Sequence, residues 1–361
     1  MRKYGCFLAA ALCLLFVLPF TGCTRRAEQK DEEENSHEIC RMAFVTDSVG
    51  EAATDATWTL LQQTAEECGV QLTLMEVQSQ ADKTSAALDQ ASDGLYDTVI
   101  VDRLSNEAGL EWLRKNAGYY PDIQYLCLDV QAGSAVSIEN VSSVRWDTDA
   151  AYYFYGAFAA LQSDTGTVAF LADESGARTE RAFLYFYAGA SEQDDAVRAL
   201  YYTVGKETAE LEKSLEAAIT AEADVFCTVT QPVFDGISEH FAEQEDRPVI
   251  LAADLSVREN VRQLPLTSGF SFAREALQKS VFRDCCSRAL PPEGYIFDWP
   301  GGKLRVWYAE DYTSQVVEET RREIALLQQK VIAGQYADLP VEQWSEAEIQ
   351  NRISAAGEIL P

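Results

Sequence analysis

Asp97-Thr98-Val99-Ile100-Val101-Asp102 is an unbroken apolar run closed at each end by aspartate. A strand with one wet face would alternate apolar and polar residues. This one has no polar face at its centre, so it predicts a strand covered on both sides, as in a parallel sheet. Helical spacing flanks it over 81–92 and 106–115, and the alternation continues outward. Upstream, Met42-Ala43-Phe44-Val45-Thr46 predicts a strand ending at Asp47. A helix follows with Trp58, Leu61, Ala65 and Cys68 on one face, stopped by Gly69, and then a strand over 70–77. Downstream, a strand is expected over 123–129, and 141–146 is a strand followed at once by a helix over 148–161. Strands over 168–171, 199–204, 223–229 and 249–253 then alternate with helices over 179–188, 209–220 and 234–243. Two βα runs of similar size predict two α/β lobes. The end is less regular: a helix over 273–287, a strand over 303–308 after Pro300-Gly301-Gly302, a long helix over 314–333, and a short helix over 344–355 after Pro340.

The amino terminus has a different character. Arg2 and Lys3 precede the apolar run 4–20, and Thr21 and Gly22 lead into Cys23. The run is short for a spanning helix, which needs about 20 residues. It has the charge, apolar core and small residues of a secretory signal. Phe20-Thr21-Gly22-Cys23 resembles the lipobox of bacterial lipoproteins, which implies a lipid-modified (palmitate-bearing) Cys23 as first residue of the mature chain. The alternative is an ordinary cleaved signal in which Cys23 has no role. Residues 1–22 are thus expected to be removed, and 23–40, with Asp31-Glu32-Glu33-Glu34, to form a polar spacer.

Losing Arg2 and Lys3 with the signal leaves 27 basic against 58 acidic residues, a formal net charge of −31. Such a chain repels nucleic acid phosphates and anionic lipid, so its membrane contact is expected through the anchor alone. Of nine cysteines, six remain after the signal and Cys23 are set aside. Cys127 and Cys227 lie inside strand patterns and are expected as buried thiols. Cys285 and Cys286 are adjacent, which rarely suits a simple disulfide. The absence of a Cys-x-x-Cys pair argues against structural zinc.

The chemistry of an enzyme is thin. His37 falls in the spacer, and His240 on a helix without a nucleophile turn nearby. There is no Gly-x-Gly-x-x-Gly, no phosphate loop and no calcium-loop spacing, so no cofactor or metal is expected. Carboxylates are too abundant to single out a hydrolytic pair. What stands out is the polar character of several strand ends: Thr46-Asp47-Ser48, Asp102-Arg103, Asp129, Asp173, Thr230-Gln231 and Asp254. Ligands of parallel α/β sheets bind beyond such ends. Each acid alone reads equally as a cap for the next helix. Aromatic residues near these ends, Trp58, Trp146, Phe234, Phe270 and Phe272, read either as core or as faces for a hydroxyl-bearing ligand.

The order of these segments resembles the basic membrane protein family of substrate-binding lipoproteins, which includes purine nucleoside receptors. The likeness spans about 42–340. It rests on Met42 to Asp47, on Glu139-Asn140-Val141-Ser142-Ser143-Val144-Arg145-Trp146, on 152–161, and on Thr165-Gly166-Thr167-Val168-Ala169-Phe170. It continues at Ala252-Ala253-Asp254, Leu266-Thr267-Ser268 and 318–334. The resemblance implies a type I periplasmic-binding-protein fold: two doubly wound α/β lobes joined by crossing hinge strands. Lobe 1 is expected over 41–145 and 253–290, and lobe 2 over 146–252 and 291–336, with 337–361 as a tail. Crossings are expected at Val144–Trp146, Ala252–Asp254 and Tyr295–Trp299. It also implies an extracytoplasmic, non-enzymatic binding protein that serves ABC permease subunits. The expected ligand contacts are Asp47, Ser48, Asp129, Trp146, Gln231, Phe234, Asp254 and Phe270. A sensory lipoprotein of the same fold and a secreted carboxylate hydrolase are the rival readings. Residues 49–55 lack the family's stacking aromatic, Ser271 stands where the family has lysine, and Gly205-Lys206-Glu207 replaces a Phe-Asn-Asp segment. Common purine nucleosides are therefore expected to bind weakly or not at all.

Overall fold

The computed structural model of the protein describes residues 40–46, 52–77, 80–102, 108–128, 130, 138–172, 176–204, 208–242, 248–253, 267–310 and 312–359. The first strands are β1 (Arg41–Thr46), β2 (Gln71–Glu76), β3 (Thr98–Val101), β4 (Gln124–Cys127) and β5 (Val141–Trp146). Next come β6 (Thr167–Ala172), β7 (Arg198–Thr203), β8 (Val225–Thr228), β9 (Val249–Ala253) and β10 (Ser268–Phe272). β11 (Tyr295–Phe297) rejoins the first set, and β12 (Leu304–Tyr308) and β13 (Gly357–Ile359) form the two edges of the second. The sheets run β11-β5-β4-β3-β1-β2 and β12-β10-β9-β8-β6-β7-β13. Pairing is parallel throughout except between β10 and β12.

The helices are α1 (Ala52–Cys68), α2 (Ala81–Ser92), α3 (Ala108–Asn116), α4 (Asp149–Gln162), α5 (Ala177–Gln193), α6 (Thr208–Thr220), α7 (Gln231–His240), α8 (Arg274–Cys286), α9 (Tyr312–Gln315), α10 (Glu318–Ile332) and α11 (Glu346–Ala356). Side chains along a strand point alternately to its two faces, and the core divides accordingly. On one side of the first sheet, Ala43, Val45, Val99, Val101 and Tyr125 pack with Leu88 and Ala91 of α2 and Trp112 and Leu113 of α3. On the other, Met42, Phe44, Ile100 and Leu126 join the core that holds Leu61 and Ala65 of α1 and Val281, Phe282 and Cys285 of α8. The second sheet repeats the plan. Leu171, Leu200, Phe226 and Ile250 pack with α6 and α7. Val168, Phe170, Tyr201, Cys227 and Leu251 pack with α4 and α5. This is why the strand runs are apolar throughout.

α4 is buried from Asp149 to Ala159, which explains its alanines and aromatics in place of a polar stripe. It crosses α5 at glycine. A β-carbon at Gly156 would collide with the Phe186 carbonyl, and one at Gly189 with the Tyr153 carbonyl. Asn140, in the segment before β5, reaches the carbonyls of Ala117, Tyr120 and Ile123 at 2.8–3.0 Å. It thereby secures the turn that feeds β4.

Four expectations change. β10 extends β9 in parallel, so the chain returns to the first lobe after Phe272, not at Ala252–Asp254. The helix expected over 314–333 is interrupted: Val317 is extended at φ −62° and ψ 153°, and α10 starts after it. Val316 is buried while Val317 is 68% exposed, and adjacent β-branched residues give the helix little to resist that break. The tail is no tail. β13 pairs with β7, and Gln350 of α11 donates to Glu180 of α5 at 2.6 Å. Finally, 291–294 leads into β11 of the first sheet, so the second lobe resumes only beyond Phe297.

Candidate functional site

Parallel strands end together, so each sheet has one edge where the carboxyl ends emerge. Every passage between the sheets uses that edge: β5 into α4, β10 into α8, and β11 into β12. At the junction the Trp146 ring lies 4.6 Å from Phe272 and 5.5 Å from Phe297, centroid to centroid. The Asp147 N–H donates to the Phe297 carbonyl at 2.8 Å. The carboxyl edges of both sheets therefore meet at this hinge, and the space beside it is where ligands of parallel sheets bind.

Two hydroxyls mark the edges. Thr46 ends β1, is 1% exposed, and its main-chain carbonyl is taken by the Val77 N–H at 2.9 Å. Its Oγ1 is buried without a hydrogen-bond partner among the described residues. Thr230 follows β8 and is the N-cap residue of α7, with extended backbone and no side-chain cap bond. Its Oγ1 is likewise buried and unpartnered. A buried hydroxyl left unsatisfied costs about 1–3 kcal/mol, so each position calls for a partner. Thr228, fully buried, turns its own hydroxyl to the Thr230 carbonyl at 3.3 Å.

The hinge itself is charged. Asp147 accepts from the Asp149 N–H at 3.1 Å and lies 3.3 Å from Arg145. Arg181 clasps Asp149 with two bonds of 2.8 and 2.6 Å, in the fork geometry that suits a carboxylate. Burial first, and the Asp149 charge second, push the Asp147 carboxyl up to about 6. The Arg274 guanidinium lies 5.6 Å over the Trp146 ring.

The expected contacts divide as follows. Trp146 is half-buried at the hinge. Gln231 is the first residue of α7. Phe234 and Phe270 have no exposed surface: Phe234 belongs to the core under α7, and Phe270 packs on Tyr152 and Tyr155 at 5.3 and 5.4 Å. Their faces are already covered by protein, because strand and helix periodicity turns them inward. Asp47, Ser48, Asp129, Asp254 and the anchor candidate Cys23 lie outside the described residues. Trp58 stacks on Phe44 at 5.7 Å with planes 14° apart, on the inner face of α1. Cys127, Cys227 and Cys285 are buried free thiols. Sequence reasoning quoted Thr46 and Thr230 as strand ends without singling out their hydroxyls, and passed over Asp147 and Arg274. Among the described residues there is no metal-ligand cluster and no helix long and apolar enough to cross a membrane.

Known proteins match this architecture. Residues 48–250 match the Bmp family model, described as ABC transporter substrate-binding protein PnrA-like. Among solved structures, a solute-binding protein of an ABC transporter system from Aeropyrum pernix K1 is similar at TM-score 0.68 and 16% identity, covering 88% of this chain and 98% of that one. A transcriptional activator of the comK gene from Bacillus halodurans is similar at TM-score 0.61 and 18% identity, with coverage of 82% and 100%. A Caulobacter myo-inositol binding protein gives TM-score 0.60 and 11% identity, with coverage of 78% and 97%. At these identities the likeness speaks for the fold. Among curated protein sequences no match to the chain is found.

Proposed function

The chain belongs to the family of PnrA-like ABC transporter substrate-binding proteins, and we propose that it is the lipid-anchored, extracytoplasmic binding subunit of an importer for a small polar ligand. The observation that carries this reading is the pair of buried, unpartnered threonine hydroxyls, one at the carboxyl edge of each sheet. A ligand that bonds to both edges prefers the closed arrangement of the lobes, and that preference is what drives closure. Closure then presents a changed surface to the permease. In this reading Asp47, Ser48, Asp129, Gln231 and Asp254 are the ligand's polar contacts, and Trp146 its aromatic face. Phe234 and Phe270 support these walls from behind. Cys23 carries the lipid in this reading.

The ligand is smaller than a purine nucleoside or is gripped from one face. Trp58 is engaged with Phe44, so the ring that the first loop lacks is not supplied from α1. A melting screen of the unlipidated protein against adenosine, guanosine, inosine, ribose, galactose and amino acids tests this. A compound at about 100 times its dissociation constant adds roughly 2.7 kcal/mol of stability. We expect one of the smaller compounds to produce such a shift and the purines little. No shift with any class, or consumption of the compound, would overturn the reading. Cys23→Ser should release the protein from membranes or leave the precursor uncleaved, since stable anchoring needs more than one acyl chain. A second reading, a ligand sensor without a transporter, draws on the fold shared with the comK activator. A partner histidine kinase in place of a permease would favour it.

A further inference from the structure

Cysteines far apart in sequence converge at the outer end of the first lobe. α1 ends at Cys68, α8 ends at Cys286, and the two helices pack side by side. The residue before Cys68, Glu67, is bridged to Arg283 of α8 at 3.4 Å. Thr98 of β3 donates to the Cys285 carbonyl at 3.3 Å, which seats the end of α8 on the sheet. Cys68 and Cys286 thus close the two packed helices, next to the Glu67–Arg283 ion pair. Cys40 lies close by, and burial first and the Asp97 carboxylate second push its thiol up. That carboxylate also accepts from the Arg41 N–H at 2.8 Å and pairs with Arg288 at 3.6 Å. Cys285 is fully buried within the core. Cys68 is exposed and Cys286 half-buried.

We propose that Cys68 and Cys286 are an oxidisable pair whose disulfide staples α1 to α8 and so locks the segment returning from the second lobe onto the first. Exported chains meet oxidants of this class, and their disulfides persist there. The exposed Cys68 thiolate attacks one sulfur of a small-molecule disulfide, forming a mixed disulfide and expelling one thiolate. The Cys286 thiolate then attacks the Cys68 sulfur and expels the second. Two thiols lose two electrons and two protons, and the oxidant leaves as two thiols. Burial, the largest cause, holds the Cys286 thiol above the ordinary range. The second step is therefore slow at neutral pH and quickens as pH rises. Cys40 is set apart because it precedes β1 and lies at the end of neither helix.

The test uses the full-length chain treated with oxidised glutathione, then alkylated under denaturing conditions and mapped by peptide mass. We expect the alkylable thiols to fall by two, with one linked peptide pair that joins Cys68 to Cys286. Cys68→Ser should abolish it, and Cys40→Ser should leave it intact. The oxidised form should melt higher by roughly 5 °C, and a reductant should reverse this, because the link closes a very long loop. Glutathione retained on Cys68 with Cys286 still alkylable, a link through Cys40, or no reaction at all would each overturn the proposal. Ligand binding enters none of these readouts, so failure here and failure of the import reading are separate results.

Discussion

Replacing Asp147 with asparagine should stabilise the protein above pH 6 and leave it unchanged near pH 4. The carboxyl is 17% exposed and sits between β5 and α4, with Asp149 beside it and Arg145 at 3.3 Å. Arg181 commits two donors to Asp149 and only indirectly offsets Asp147. Burial, and then the Asp149 charge, raise the carboxyl from an ordinary 3.8 to about 6. A raised folded value means that the folded chain holds the proton more tightly than the unfolded chain between those two points. The group's contribution to stability is complete below about 3.8 and is lost as pH climbs through about 6. At about 1.4 kcal/mol per pH unit, that interval corresponds to roughly 3 kcal/mol. Residual solvent access lowers this to roughly 1–2 kcal/mol. Asparagine keeps the acceptor for the Asp149 N–H and never charges. Urea unfolding of both proteins from pH 4 to 8 gives the difference directly. It should rise from near zero at pH 4 to roughly 1–2 kcal/mol at pH 7.5. A constant difference across that range, or a less stable variant at pH 7.5, would refute the reasoning.

Gly189→Ala should cost at least about 3 kcal/mol or abolish folding, since its new methyl meets the backbone of α4 where no side chain can yield; urea unfolding or soluble yield measures it. Asp254→Ala should weaken ligand binding roughly 10- to 100-fold, the worth of a charge-assisted hydrogen bond to a hydroxyl. The melting temperature of the empty protein should hardly change, and an unfolded empty variant would instead mark Asp254 as structural.

The α/β alternation was legible because each central strand buries both faces and so carries no polar residue, as in Thr98–Val101 and Thr167–Ala172. β10 was not. Its sequence Ser268-Gly269-Phe270-Ser271-Phe272 mixes small and aromatic residues, because a β-carbon at Gly269 would strike the Trp307 ring of its neighbour β12. β13 is a three-residue edge strand whose only guide is its partner β7. Trp146 closes β5, where the strand gives way almost at once to α4, as its sequence suggests. The hidden hydroxyls of Thr46 and Thr230 were not legible, since burial without a partner at a strand's carboxyl end appears only in the assembled fold. Phe234 and Phe270 show the converse: nearness in sequence to a strand end says nothing about which way a ring turns.

The central claim is that Thr46 waits for a ligand, and Thr46→Val tests it through two opposed effects. Removing a buried, unpartnered hydroxyl should raise the stability of the empty protein by up to about 1 kcal/mol. The same change should weaken the compound that gives the largest shift in the melting screen by roughly tenfold, the worth of one hydrogen bond. Calorimetric titration of the wild type and the variant with that compound, alongside their unfolding curves, reads both. More stable when empty and weaker in binding is the predicted result. Equal affinity for the two proteins would contradict the account.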